Sequence, residues 1–209
     1  MLRAFLLLAT ATLASAAPDP APLEAWLAKQ KDIRSIQSDF TQERRLPSLK
    51  NPVTAKGKLW FKRPGLLRWE LGTAPDTIAV SDGTTLTIAD ATEKRARRIP
   101  VDDPQARQFT LLAGEAFRDL AAFRRTFELS DSRVTSGIYQ ATLRPLDRRL
   151  RSKVPWVFLD IQPGNNRLRA LELQLSDGSR IRSIFTSTRI NPAIEASRFQ
   201  FDLTGYQVR

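Results

Sequence analysis

From Val53 the side chains alternate with a period of two: Val53, Ala55, Gly57, Leu59, Phe61 and Arg63 share one face, while Thr54, Lys56, Lys58, Trp60 and Lys62 share the other. This is a strand that turns one face to an apolar core. Pro64-Gly65 then demands a turn, because proline presets φ and glycine accepts the positive φ that follows. Residues 66–71 read as the returning strand, so residues 56–70 form a β-arch to which the rest of the chain must conform. Arg63 prolongs the face of Leu59 and Phe61, where a guanidinium without partners costs on the order of several kcal/mol. Two arrangements relieve it: the side chain snorkels to solvent, or it latches onto acceptors within the fold.

The strands around the arch follow from the same pattern. Residues 21–32 place Leu23, Trp26 and Leu27 at helical spacing, with Ile33 beyond, and Pro20 and Pro22 suit a first helical turn. A strand over 36–45 follows, then a loop over 46–52. Strands over 77–80 and 84–89 are joined by Ser81-Asp82-Gly83, a hairpin signal, and 94–99 reads as a basic strand. Two short helices are expected over 104–113 and 115–124, separated at Gly114, with Phe109, Leu112, Phe117, Leu120, Ala121 and Phe123 at helical intervals. Strands return over 126–131, 138–145, 156–162, 168–176 and 180–190, with turn residues at 163–166 and Asp177-Gly178.

The expected fold is therefore mainly β with α: about eleven antiparallel strands and three short helices. About eight strands already suffice to enclose a small ligand, so a sheet of this size, curled but unclosed, leaves room for an apolar cavity under a helical lid. Candidates for its lining are Leu59, Phe61, Leu67, Trp69, Ile78, Val80, Leu86, Phe109, Leu112, Trp156, Phe158 and Leu173. Alternation does not say which face of a strand looks inward, so each is equally compatible with ordinary core.

Residues 1–16 have a basic start at Arg3, an apolar run over 4–13 and the small residues Ala14-Ser15-Ala16, which describes a cleavable secretory signal. The run is too short for a stable membrane anchor, and no cysteine follows to receive a lipid. A soluble, exported protein of one domain over 17–209 is expected. Cysteine and histidine are both absent, which removes thiol and imidazole catalysis and the usual zinc ligand sets.

The remaining carboxylates offer little chemistry: Asp102 and Asp103 are adjacent, while Asp82 and Asp177 sit at turns that explain them. No Gly-x-Ser-x-Gly elbow or phosphate loop is present. We expect no enzyme, no metal and no cofactor. The net charge of +11 includes Arg3 of the leader and raises the question of nucleic acid. The leader, the scattering of arginines among strands and the lack of a recognisable module argue against it. The densest basic segment, RPLDRRLRSK over 144–153, is either a solvated loop or a docking patch of Arg144, Arg148, Arg149, Arg151 and Lys153.

The stretch GKLWFKRPGLLRWE, followed by Pro75 and IAVSDGTTL, resembles the central signature of the outer-membrane lipoprotein carrier family, LolA. SDFTQERR resembles that family's first strand, FTLLAG its lid segment, and ASRFQF over 196–201 its closing strand. The resemblance implies an unclosed barrel of eleven strands covered by three helices. It implies a monomer that carries the acyl chains of lipoproteins from an inner-membrane ABC-type releasing complex to an outer-membrane receptor lipoprotein. It also places the family's latch on Arg63, with carbonyls near Leu111, Leu112 and Ala113 as partners, and Leu67 where the family has an aromatic residue. The same fold would also serve a carrier of another amphiphile, such as a glycolipid or polyene, or an envelope-stress sensor module.

Overall fold

The computed structural model describes residues 17–103, 106 and 115–209. Within them, twelve strands form one sheet. They are β1 Ser35–Arg45, β2 Val53–Lys62, β3 Leu66–Leu71, β4 Thr77–Asp82, β5 Thr85–Asp90, β6 Arg95–Pro100, β7 Phe127–Thr135, β8 Ile138–Pro145, β9 Trp156–Gln162, β10 Arg167–Gln174, β11 Arg180–Ile190 and β12 Gln207–Val208. The order is β12-β6-β5-β4-β3-β2-β1-β11-β10-β9-β8-β7, so β12 and β7 are its edges and the sheet stays open. The eleven strands read from alternation are all present, paired antiparallel, and β12 adds a two-residue parallel pair on β6.

Two glycine positions shape the arch. A Cβ on Gly57 would stand 2.1 Å from Phe40 Cζ and 2.5 Å from the Glu70 carbonyl oxygen. Without that Cβ, the Phe40 ring crosses β2 and stacks on Trp69, with ring centroids 3.8 Å apart. At the tip, Arg63-Pro64 is a cis peptide and Gly65 takes φ 71°. The ideal Cβ of Gly65 would lie 3.1 Å from the Gly83 Cα, so the arch turn and the Asp82-Gly83 turn meet glycine to glycine.

Two apolar clusters occupy the concave face. In one, Leu23, Trp26 and Leu27 of helix α1 (Ala21–Gln30) pack with Phe117, Phe123 and Phe127 onto Tyr139, Leu143, Val157, Leu159 and Ile161. In the other, Phe40, Leu59, Phe61, Leu67, Trp69, Ala79, Leu86, Ile99 and Ala106 pack together. The half-buried Phe185 ring touches both.

The helix expected over 115–124 splits into a 3₁₀ turn, Glu115–Phe117, and helix α2, Leu120–Thr126. The second begins afresh because the Asp119 side chain accepts the Ala122 N–H at 2.7 Å, a helix cap. The helix expected over 104–113 lies outside the described residues. The basic loop contains a helical turn, α3 Arg148–Arg151, capped by Asp147, which accepts the Leu150 N–H at 2.7 Å.

Residues 196–201, expected as a closing strand, instead include a 3₁₀ turn, Ala196–Phe199. Burial of Phe199 on the convex side decides this, together with Arg68 Nη1, which donates to the Arg198 and Gln200 carbonyls at 3.4 and 3.0 Å. The Arg198 guanidinium lies over the Trp60 ring at 4.9 Å.

Candidate functional site

Between the two clusters lies a cavity of about 450 Å³, lined by Ile36, Ser38, Leu59, Leu168, Leu171, Phe185 and Thr188 of the sheet. Trp26 within α1 and Ile33 just beyond it line it together with Phe117. Its two hydroxyls serve each other: Ser38 Oγ is 2.8 Å from Thr188 Oγ1 and 2.9 Å from the Thr186 carbonyl oxygen. The register of β1 against β11 shifts between Gln37 and Asp39, and Ser187 takes φ 50°, so β11 carries a bulge beside the cavity. Polar residues gather where α1 ends: Lys29, Gln30, Asp32, Asn165, Asn166, Arg167 and Asn191. An apolar floor with a polar rim can hold a chain-like amphiphile by burial.

Arg63 acts on this space from behind. Its Nη2 donates to the Gln30 carbonyl, the last residue of α1, at 3.1 Å, and its backbone N–H donates to the Arg34 carbonyl at 2.9 Å. Its Nε is buried and has no hydrogen-bond partner among the described residues. The guanidinium thus grips the helix whose end lines the cavity. Leu111, Leu112 and Ala113, the expected partners, lie outside the described residues, as does the lining candidate Phe109.

Of the other lining candidates, Leu59 lines the cavity. Phe61, Leu67, Trp69 and Leu86 lie in the adjoining cluster and Leu173 in the opposite one. Ile78 and Val80 are buried on the convex face, because the inward positions of β4 belong to Ala79 and Ser81, which pair with Trp69 and Leu67. Trp156 and Phe158 also face outward and are half-buried, since Val157, Leu159 and Ile161 take the concave positions of β9. The Arg180 guanidinium lies over the Phe158 ring at 5.5 Å. Ile36, Leu168, Leu171 and Phe185 are lining residues that sequence reasoning missed, although the alternation of Ile36 with polar neighbours is visible there.

The basic patch divides by role. Arg151 Nη1 donates to the Pro145 and Leu146 carbonyls at 3.0 and 3.3 Å, and Arg144 pairs with Glu128 at 3.6 Å. Arg148, Arg149 and Lys153 are exposed and have no ion pair among the described residues. No group of three or more His, Cys, Asp or Glu side chains that could hold a metal occurs among the described residues. Nor is any described helix long and apolar enough to cross a membrane.

The shifted carboxylates belong to turns and caps. The N–H groups of Thr85 and Thr84 and the Thr84 hydroxyl, all on Asp82, hold its carboxyl below the usual range. Ala122 does the same for Asp119, and Ser179 for Asp177.

The family model described as outer membrane lipoprotein carrier protein LolA matches residues 31–202. An outer-membrane lipoprotein carrier protein of Pseudomonas entomophila is 27% identical over 187 residues, 88% of this chain and 84% of that protein. One of Pseudomonas fluorescens is 25% identical, covering 97% of this chain and 93% of its own length. Among solved structures, an uncharacterized conserved protein from Thermus thermophilus superposes with a TM-score of 0.53 at 9% identity, covering 91% of this chain and 100% of that one. That likeness concerns the fold alone.

Proposed function

We propose a role that proceeds from one premise: the chain belongs to the LolA family of outer-membrane lipoprotein carrier proteins. On this reading it is a periplasmic chaperone without catalytic activity. It takes lipoprotein acyl chains from an inner-membrane ABC-type releasing complex and delivers them to an outer-membrane receptor lipoprotein.

The observation that carries the reading is the apolar cavity of about 450 Å³ under the end of α1. Its volume falls within the roughly 300–1,000 Å³ of small-ligand sites. An acyl chain of roughly 15 methylenes, at ~0.8 kcal/mol each, would cost on the order of 12 kcal/mol to carry exposed through water. Burial in an apolar site offsets much of that cost. A carrier must also release what it holds, so the empty state has to compete with the loaded one. The Arg63 hydrogen bond to Gln30 supplies such competition, since bonds to charged groups contribute about 1.5–3 kcal/mol. The exposed side chains of Arg148, Arg149 and Lys153 are the docking patch in this scheme.

The test is Arg63→Leu, which should fold normally yet retain bound lipoprotein longer than the wild type during transfer to the receptor. Unchanged transfer kinetics would remove the latch from the mechanism. Native mass spectrometry of protein isolated from the periplasm identifies the cargo, and a ligand without acyl chains would overturn the carrier reading.

A further inference from the structure

The rim of the cavity has a chemical bias that acyl-chain burial does not explain. Lys29 and Arg167 both line it, and neither has an ion pair among the described residues. Lys29 alone would carry no weight, because a cation in the last turn of a helix is favoured by the helix's own carbonyl end. Arg167 has no such duty. It begins β10 just after the hairpin tip, where its backbone N–H donates to Asn165 Oδ1 at 3.1 Å. That bond occupies the Asn165 oxygen and leaves its amide N–H₂ as a donor beside the arginine.

Acceptors at the rim are fewer. Asn191 is committed at both ends: its Oδ1 accepts from the Arg34 and Ser35 N–H groups at 2.7 and 3.3 Å, and its Nδ2 donates to the Asp32 carbonyl at 3.1 Å. The Asp32 carboxylate is the one acidic group among the described residues that line the cavity, against the two cations, and the Gln30 and Asn166 side-chain oxygens are neutral acceptors there. The space therefore runs from an apolar floor at Ile36, Leu59 and Phe185 to a donor-rich, cationic mouth.

We propose that the mouth formed by Lys29 and Arg167 is a subsite for the anionic headgroup of an amphiphile whose acyl chain occupies the cavity. This rests on the reading of the cavity as an acyl-chain site and adds a ligand class to it: a carboxylate or phosphodiester carried on an apolar tail. The head meets charge-assisted donors while the tail is buried, so head and tail are recognised by different residues.

The experiment titrates the full mature chain with amphiphiles of equal chain length, below the concentrations at which they form micelles, and follows binding by isothermal calorimetry. Intrinsic tryptophan fluorescence, to which Trp26 at the cavity wall contributes beside Trp60, Trp69 and Trp156, is a second readout. The probes are myristate, neutral tetradecanol, tetradecyltrimethylammonium, and the myristoyl lysolipids with phosphatidylglycerol and phosphatidylcholine heads. Myristate or the anionic lysolipid should bind about tenfold more tightly than tetradecanol, and the cationic probe most weakly. Added salt should narrow the gap. Lys29→Gln with Arg167→Gln should erase the preference of the anionic heads over tetradecanol. Both positions are exposed, and circular dichroism checks that the double variant folds. A preference for myristate over the anionic lysolipid assigns a carboxylate source, and the reverse assigns a phosphodiester. Equal affinity for all heads, or an undiminished preference in the double variant, overturns the headgroup subsite but leaves the acyl cavity standing. Binding of none of the probes overturns both.

Discussion

The two apolar clusters on the concave face are constructed by different means. Over β7–β10 the sheet is filled from above: α1, the 3₁₀ turn at Glu115–Phe117 and α2 drive Trp26, Leu27, Phe117 and Phe123 into it. Over β1–β6 the described side chains come almost wholly from the strands themselves, ordered by one ring, Phe40, that crosses Gly57 to reach Trp69. Among the described residues, the space left over lies at the boundary between the two constructions. Helix α1 ends at Gln30, and the cavity begins there, over Ile36 and Leu59. The end of α1 thus borders the site, and Arg63 holds its last carbonyl.

Three experiments separate these contributions. The largest effect belongs to the helix-filled side, where Leu159 is 0% exposed. Leu159→Ala should cost about 2–5 kcal/mol in urea unfolding, yet leave amphiphile affinity per folded molecule unchanged. Loss of binding without loss of stability would dissolve the distinction between filled core and site. Next comes the strand-built side. Gly57→Ala places a methyl against Phe40 and the Glu70 carbonyl and should cost about 1–3 kcal/mol. Adding Phe40→Leu should recover part of that cost but not all, because the carbonyl does not yield. Full recovery would show that the ring alone sets the spacing.

The smallest effect concerns the turn that meets the arch. The Thr85 and Thr84 N–H groups and the Thr84 hydroxyl hold the Asp82 carboxyl below its ordinary value. A depressed folded value means stability that is present above the unfolded value, near 3.9, and is lost as pH falls through the folded one. Asp82→Asn should lower thermal stability slightly at neutral pH and flatten its fall below about pH 4, so that the two proteins converge in acid. An identical acid profile in both proteins would assign the acid sensitivity elsewhere.

Strand existence is legible throughout because alternation survives in short segments, and the Asp82-Gly83 and Pro64-Gly65 turns announce themselves by residue type. Which face looks inward is not. In β4 both faces are buried, Ala79 against the concave cluster and Val80 on the convex side, so hydrophobicity there does not choose. In β9 the large rings of Trp156 and Phe158 are half-buried outside, while the smaller Val157, Leu159 and Ile161 fill the core. Size misleads when aliphatic stems and guanidinium planes such as Arg180 shelter rings on the outer surface. The rim of the site is invisible in the sequence for another reason: Lys29, Arg167 and Asn191 are far apart along the chain, and only the pairing of β1, β10 and β11 gathers them.

Phe185 touches both clusters and lines the space between them. A side chain shared in this way leaves neither half free to melt alone, so heating should give one transition rather than two. An occupant that displaces the ring is then felt on both sides at once, and a full or empty site becomes a property of the whole sheet.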